Sequence, residues 1–264
     1  MIEHNDRQRT SDSLTILEDT VSGPMRQLKL IRKKTSRHSH PRICQNGDCI
    51  SLEFPNGDIQ SQMLISDPNH LALSYTRAMT AFPFFHHEPQ HIVMIGLGGG
   101  SMVKWCYRNH PDAEITVIEI NPHVISSREQ FHIPADDHRL RVIEGDGADY
   151  VVSTKDSPDV LLVDGFDTYG QSPQLCSQAF YKNCYRALAP DGLMVANLCG
   201  SENQGSIDNI RNAFHGRTAI AVPDDGENQV VFAFKGKRSQ GETLPAEELS
   251  EKLRDYVLIP VQVQ

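Results

Sequence analysis

Five apolar runs, each followed by a helical pattern, constrain this chain more than any other feature. They are HIVMIG (91–96), EITVIEI (114–120), LRVIEGD (140–146), DVLLVD (159–164) and GLMVANL (192–198). The intervening segments predict helices at about 101–109, 122–131, 147–154, 174–188 and 204–214. Strands alternating with helices predict a mostly parallel sheet with helices on both faces, a doubly wound α/β fold. Two final strands, TAIAVP and NQVVFAF, lie too close in sequence for a crossover and are expected to pair as an antiparallel edge. A C-terminal helix, PAEELSEKLRDY, is expected to dock outside.

The first quarter of the chain reads differently. Residues 1–12 have the composition of a flexible tail, and 13–65 alternate apolar and polar residues as half-buried strands do. SLTILEDTV, RQLKLIRKK and CISLEF, with turn signals at Ser22-Gly23-Pro24, Asn46-Gly47 and Asn56-Gly57, predict a small antiparallel sheet of three or four strands. TSRHSHPR between them reads as a basic, flexible, solvated loop. A helix is expected at 69–82, capped by Asn69 or by Asp67 with Pro68 in its first turn. The organisation is therefore a tail at 1–12, a small β domain at 13–65, a Rossmann-like domain at 66–240 and a C-terminal helix and tail at 241–264.

Chemistry concentrates at the carboxyl ends of the strands. IGLGGGS (95–101) joins the first strand of the large unit to its first helix. Glycines there permit a tight turn and a close approach of ligand to main chain, and the helix N-terminus adds free N–H groups. The second strand ends at Glu119, placed to accept hydrogen bonds from ribose hydroxyls. The third ends at Asp146-Gly147, where an adenine amino group could be read. The fourth ends at Asp164, with Asp167 three residues on. A single such acid is most simply a helix cap, but the series points to a nucleoside site. GLGGG is tighter than the dinucleotide fingerprint, so a ligand of the S-adenosylmethionine type fits better than NAD.

Composition removes several classes. The formal net charge of -9 argues against nucleic acid or an anionic membrane as partner and is compatible with a cationic substrate. No apolar run reaches the length of a membrane span, and MIEHNDRQRTSDS has no signal-peptide core, so the expected location is the cytoplasm. His38, His40, Cys44 and Cys49 raise a zinc site, against a hairpin turning at Asn46-Gly47. The spacing favours the hairpin, and no metal is expected.

The ordered set IGLGGGS, VIEIN, EGDGADY, LLVDGFDTYG and LCSQAFYKNCYRALAPDGLMVANL resembles the polyamine aminopropyltransferases, the spermidine synthase family. The resemblance covers about 50–235. It implies a sheet of the S-adenosylmethionine-dependent methyltransferase type, a small N-terminal β-sheet and a homodimer. It also implies decarboxylated S-adenosylmethionine as donor and a small-molecule amine as acceptor. Gly96, Gly98 and Gly100 would line the nucleoside and thioether, with Gln60 and Glu119 at the ribose and Asp146 and Gly147 at the adenine. Asp164 would be the catalytic base, Asp167 would hold the amine, and Tyr75 matches a tyrosine on the helix before the glycine loop.

The chain departs from the family pattern at the donor tail and the amine. Gly99 stands where the family carries an aspartate in its glycine loop. Thr168, Tyr169, Gly170 and Gln171 replace a Pro and Gly-Pro, Leu71 and Ala72 replace an acidic pair, and Thr76 replaces a His or Gln. These changes leave two alternatives to aminopropyl transfer: a methyltransferase using intact S-adenosylmethionine, or a nucleoside-binding homologue without catalysis.

Overall fold

The computed structural model describes residues 38–168, 170–200, 203–223 and 225–236, with the backbone of 261–262. The 1–12 tail, the strands expected in SLTILEDTV and RQLKLIRKK, and the C-terminal helix lie outside the described residues. His38–Gln264 groups as one compact unit.

A three-stranded antiparallel sheet comes first: β1 (Arg42–Asn46), β2 (Cys49–Glu53) and β3 (Ile59–Leu64), in that order. Asn46 pairs with Cys49, so Gly47 and Asp48 form a two-residue turn, and Gly47 takes φ +57° as that turn requires. Cys44 and Cys49 are therefore ordinary strand residues of the expected hairpin. Among the described residues no three His, Cys, Asp or Glu side chains are grouped to hold a metal ion.

The expected helix at 69–82 is shorter. Helix α1 covers Ser74–Met79, and a 3-10 turn follows at Phe82–Phe84. Asp67 does not cap it: its carboxylate accepts from the Asn69 N–H in a local turn, and Leu73 enters the helix in an extended conformation without a side-chain cap. The Arg77 guanidinium donates back to the Leu71 carbonyl and holds that entry.

The large sheet uses β4 (His91–Ile95), β5 (Glu114–Glu119), β6 (Leu140–Glu144), β7 (Val160–Val163), β10 (Leu193–Cys199), β11 (Thr218–Ala221), β12 (Asn228–Phe234) and β13 (Val261–Gln262). A short hairpin, β8 (Phe166–Asp167) and β9 (Gly170–Gln171), follows β7. Helices α2 (Ser101–Asn109), α3 (Pro122–Ile125), α4 (Gly147–Ser153), α5 (Gln178–Ala187) and α6 (Gln204–Ala213) supply the crossovers. The strand order is β13-β11-β12-β10-β7-β4-β5-β6, and β10, β7, β4, β5 and β6 are mutually parallel. The expected antiparallel pair forms, but β12 inserts between β11 and β10 rather than ending the sheet. Helix α3 stops early, and its continuation to Phe131 is a series of turns. The helix expected at 174–188 is split at Ser177, which ends a 3-10 turn at Pro173–Cys176 and caps α5 through its hydroxyl.

The central strands read as unbroken apolar runs because both faces are covered. Ile92 and Met94 face one cluster with Met79, Phe82 and Phe131, while Val93 and Ile95 face another with Phe180, Tyr181, Ile207 and Phe214. Lys104 is the one cation among the buried residues described here. Its ammonium donates to the carbonyls of Pro68 (2.6 Å) and Phe131 (2.9 Å), and burial lowers its pKa to about 8. Among the described residues no helix is long and apolar enough to cross a membrane.

The chain reverses direction across the sheet between β4 and β7, which places the ligand crevice of an open α/β sheet at their carboxyl ends. There Gly96 has φ +98°, and a Cβ on it would sit 2.0 Å from the Asp164 carbonyl oxygen. Backbone cannot move aside as a side chain can. Gly96→Ala is therefore expected to cost about 3 kcal/mol, the sum of overpacking and left-handed strain, measured as a lower denaturation midpoint at unchanged slope.

Candidate active site

Four strand ends and one helix converge on this crevice. After β4, the loop Gly96–Gly100 rises with positive φ at Gly96, Gly98 and Gly100 (+98°, +52° and +66°) before α2 begins. Gly100 does more than turn the chain: a Cβ on it would meet the Ile133 side chain at 2.4 Å. Gly147 opens α4, and a Cβ there would meet Ile95 at 2.3 Å, so this glycine sets how closely α4 packs on β4.

Glu119 ends β5 and is 8% exposed. Its carboxylate accepts from the N–H of Leu97 in the glycine loop and of Asn121, each at 2.8 Å, and also from the Ile120 N–H. Burial raises its pKa; the three N–H bonds and His38 oppose that shift. A carboxylate has about four lone-pair sites, so about one remains for a hydroxyl. Glu119 thus staples the loop after β4 to the loop after β5. Asp146 also serves the fold: Oδ1 caps α4 by accepting from the Ala148 N–H at 2.7 Å.

Asp164 follows β7 and is half-buried. Asn197 on β10 donates its amide to Oδ1 at 3.0 Å, and the Tyr75 hydroxyl of α1 is hydrogen-bonded to the same carboxylate. Burial pushes the Asp164 carboxyl above its usual range, and the bonds from Asn197 and Tyr75 pull it down. Tyr75 is displaced well upward, first by burial and then by the Asp164 charge. Its hydroxyl is therefore a neutral donor across the physiological range. Asp167 lies in β8, exposed at the mouth.

The surroundings are acidic. The Cys199 thiol is pushed up by burial and then by Glu227, Asp225, Asp164 and Asp58. Asp225 is tied into place beside Tyr75, accepting from the Ser74 hydroxyl at 2.5 Å and from the N–H groups of Glu227 and Asn228.

The structure therefore brings Gly96, Glu119, Asp164 and Tyr75 together, with Gly98, Gly100, Asp146 and Gly147 on the adjoining loops. Gln60 sits on β3 beside Ser61, whose hydroxyl lies 3.8 Å from a Cβ built on Gly98. Sequence reasoning missed Asn197, although a polar residue inside the buried run GLMVANL was a signal for it. It also missed Ser61 and Phe131, for which no local pattern exists. His38–His40, expected as part of a solvated loop, instead lies against Asn121, His123 and Thr168.

Residues 72–238 match the family described as spermine/spermidine synthase domain. The chain is 38% identical over 196 residues to a polyamine aminopropyltransferase of Chromobacterium violaceum, covering 73% of this chain and 75% of that relative. It is 35% identical over 216 residues to a polyamine aminopropyltransferase of Neisseria meningitidis serogroup A, covering 80% of each. In three dimensions it resembles a probable spermidine synthase from Corynebacterium glutamicum with a TM-score of 0.72 at 19% identity, covering 86% of this chain and 88% of that one. That likeness speaks to the fold, and the sequence matches speak to descent. The chain belongs to the spermine/spermidine synthase family.

Proposed function

We propose that this chain transfers an aminopropyl group from decarboxylated S-adenosylmethionine to the amine of a polyamine. The observation that carries the reading is the Asp164 carboxylate, bonded by Tyr75 and Asn197 directly beside the glycine loop. The donor is a sulfonium, which needs orientation rather than further activation. The acceptor amine is protonated at neutral pH, with a lysine-like pKa of about 10, and must lose a proton before it attacks. Asp164 takes that proton, and Tyr75 and Asn197 hold the carboxylate toward it. The nitrogen lone pair then forms the new C–N bond. The C–S bond breaks with its electron pair going to sulfur, which leaves as a neutral thioether.

Glu119 and Gln60 hold the ribose, and Asp146 and Gly147 adjoin the base. Asp167, exposed in β8 three residues after Asp164, draws the second ammonium of the acceptor. Incubation with decarboxylated donor and a panel of diamines and triamines tests the reading. Methylthioadenosine release with an aminopropylated amine is expected, and release with no amine in the panel would overturn it.

Asp164→Asn is expected to lower kcat by at least about 100-fold, the scale of a lost general base, while methylthioadenosine binding in calorimetry changes less than about two-fold. The same substitution is expected to stabilise the fold at pH 7. A carboxyl whose folded pKa is raised favours folding most below its unfolded pKa, and that advantage is lost as pH rises through the folded value. At pH 7 the buried charge is a net cost that Asn lacks. A higher urea midpoint at pH 7, with the gain shrinking toward pH 4, is the expected signature.

Restoring an aspartate at position 99 is expected to fail. A Cβ on Gly99 would lie 2.6 Å from the Ser61 hydroxyl and 2.8 Å from Phe131. Gly99→Asp should lower the denaturation midpoint without tightening donor binding. Tighter donor binding at unchanged stability would show that the loop has room for the side chain.

A further inference from the structure

Outside the groups already assigned, a run of three residues joins the two halves of the crevice. Ser39 accepts at its carbonyl from the Asn121 side-chain amide at 2.9 Å. Its hydroxyl accepts from the Thr168 hydroxyl, also at 2.9 Å. The Thr168 carbonyl in turn accepts from the Asn56 amide in the β2–β3 turn at 2.9 Å. The neighbouring His40 ring lies on the His123 ring, with centroids 3.4 Å apart. Asn121 is no ordinary surface residue: it is 6% exposed, its N–H donates to Glu119, and its side-chain oxygen accepts from the His123 N–H at the start of α3. Thr168 directly follows Asp167.

We propose that Ser39 is a positioning residue which couples the donor side of the site to the acceptor side. A continuous set of hydrogen bonds runs from Glu119 through Asn121 and Ser39 to Thr168, and so to the backbone of Asp167. Each link is within ordinary hydrogen-bond distance, and Asn121 has both ends of its amide engaged, so it cannot turn to release Ser39 without losing the α3 cap. A nucleoside that engages Glu119 fixes Asn121, and thereby the hairpin that presents Asp167. Donor binding then raises amine affinity, and the amine raises donor affinity by the same factor. The Asn56 bond adds a second anchor from the small sheet on the same hairpin. This inference rests on the assignment of Glu119 to the donor and Asp167 to the amine. Contiguity alone does not establish coupling, so the test measures the coupling itself.

Calorimetry of 1,4-diaminobutane is run with and without saturating methylthioadenosine, on wild type, Thr168→Val and Ser39→Ala. The wild-type amine affinity is expected to rise at least about five-fold with the nucleoside, the low end of measured couplings. In both variants the ratio should fall toward one, with methylthioadenosine affinity itself changed less than about two-fold. The double variant should match either single variant, since both break the same link. Hydrogen–deuterium exchange supplies a readout independent of amine and turnover: methylthioadenosine should slow exchange at Phe166–Asp167 and Gly170–Gln171 in wild type but not in Thr168→Val. Undiminished coupling and protection in the two variants overturns the proposal even if wild type makes product. A wild type that binds methylthioadenosine yet makes no product overturns the aminopropyl reading, and the exchange comparison still decides the role of Ser39. A wild type that binds no nucleoside overturns both.

Discussion

The contact between Gly96 and the Asp164 carbonyl is the constraint on which the rest of the site depends. Two parallel strands, β4 and β7, end side by side where the order of the sheet reverses, and their loops must leave in opposite directions. Only a residue without a Cβ lets them stay this close, because the opposing atom is backbone oxygen. Once the loops are in register, the glycine loop N–H of Leu97 reaches Glu119 on one side, and the Asp164 side chain reaches Tyr75 and Asn197 on the other. The glycine loop, Glu119 and Asp164 are thus placed by the carboxyl ends of neighbouring strands of one sheet.

That arrangement has an energetic consequence. The two acids nearest the chemistry, Glu119 and Asp164, are both raised by burial and both partly restored by hydrogen bonds. The restoring groups differ in kind. Glu119 is held by main-chain N–H groups, which are fixed. Asp164 is held by two side chains, a neutral phenol and an amide. Under the aminopropyl reading proposed above, that upward displacement suits a base, because it favours taking the proton.

The sheet was readable from the sequence because its period is local. HIVMIG, EITVIEI and DVLLV are apolar on both faces, and the acids at their ends sit where the fold puts ligands. The helices were less readable. Asp67 and Asn69 have the composition of a cap yet form a turn among themselves, and Ser177 splits what periodicity presents as one helix. The insertion of β12 between β10 and β11 is a tertiary choice that no local pattern encodes. Among site residues, those on the glycine loop and strand ends follow from their position. Asn197 was hidden in an apolar run, and Ser61, Phe131 and Ser39 matter only through residues distant in sequence.

Those distant contacts change how the departures from the family pattern are understood. Gly99 is not simply an aspartate removed to leave space. The volume its side chain would take is occupied by Ser61 from the small sheet and by Phe131 from the turns after α3, and Phe131 is itself held by the Lys104 ammonium at its carbonyl. Thr168, likewise, is not an idle replacement of proline, because its hydroxyl and its carbonyl both carry hydrogen bonds to segments outside the large sheet. Both departures are therefore matched by packing or hydrogen bonding from the N-terminal side of the chain. The small sheet thus decides, with Phe131, how much room the glycine loop leaves for a side chain at position 99, and Ser39 and Asn56 decide where the turn after Asp167 is held.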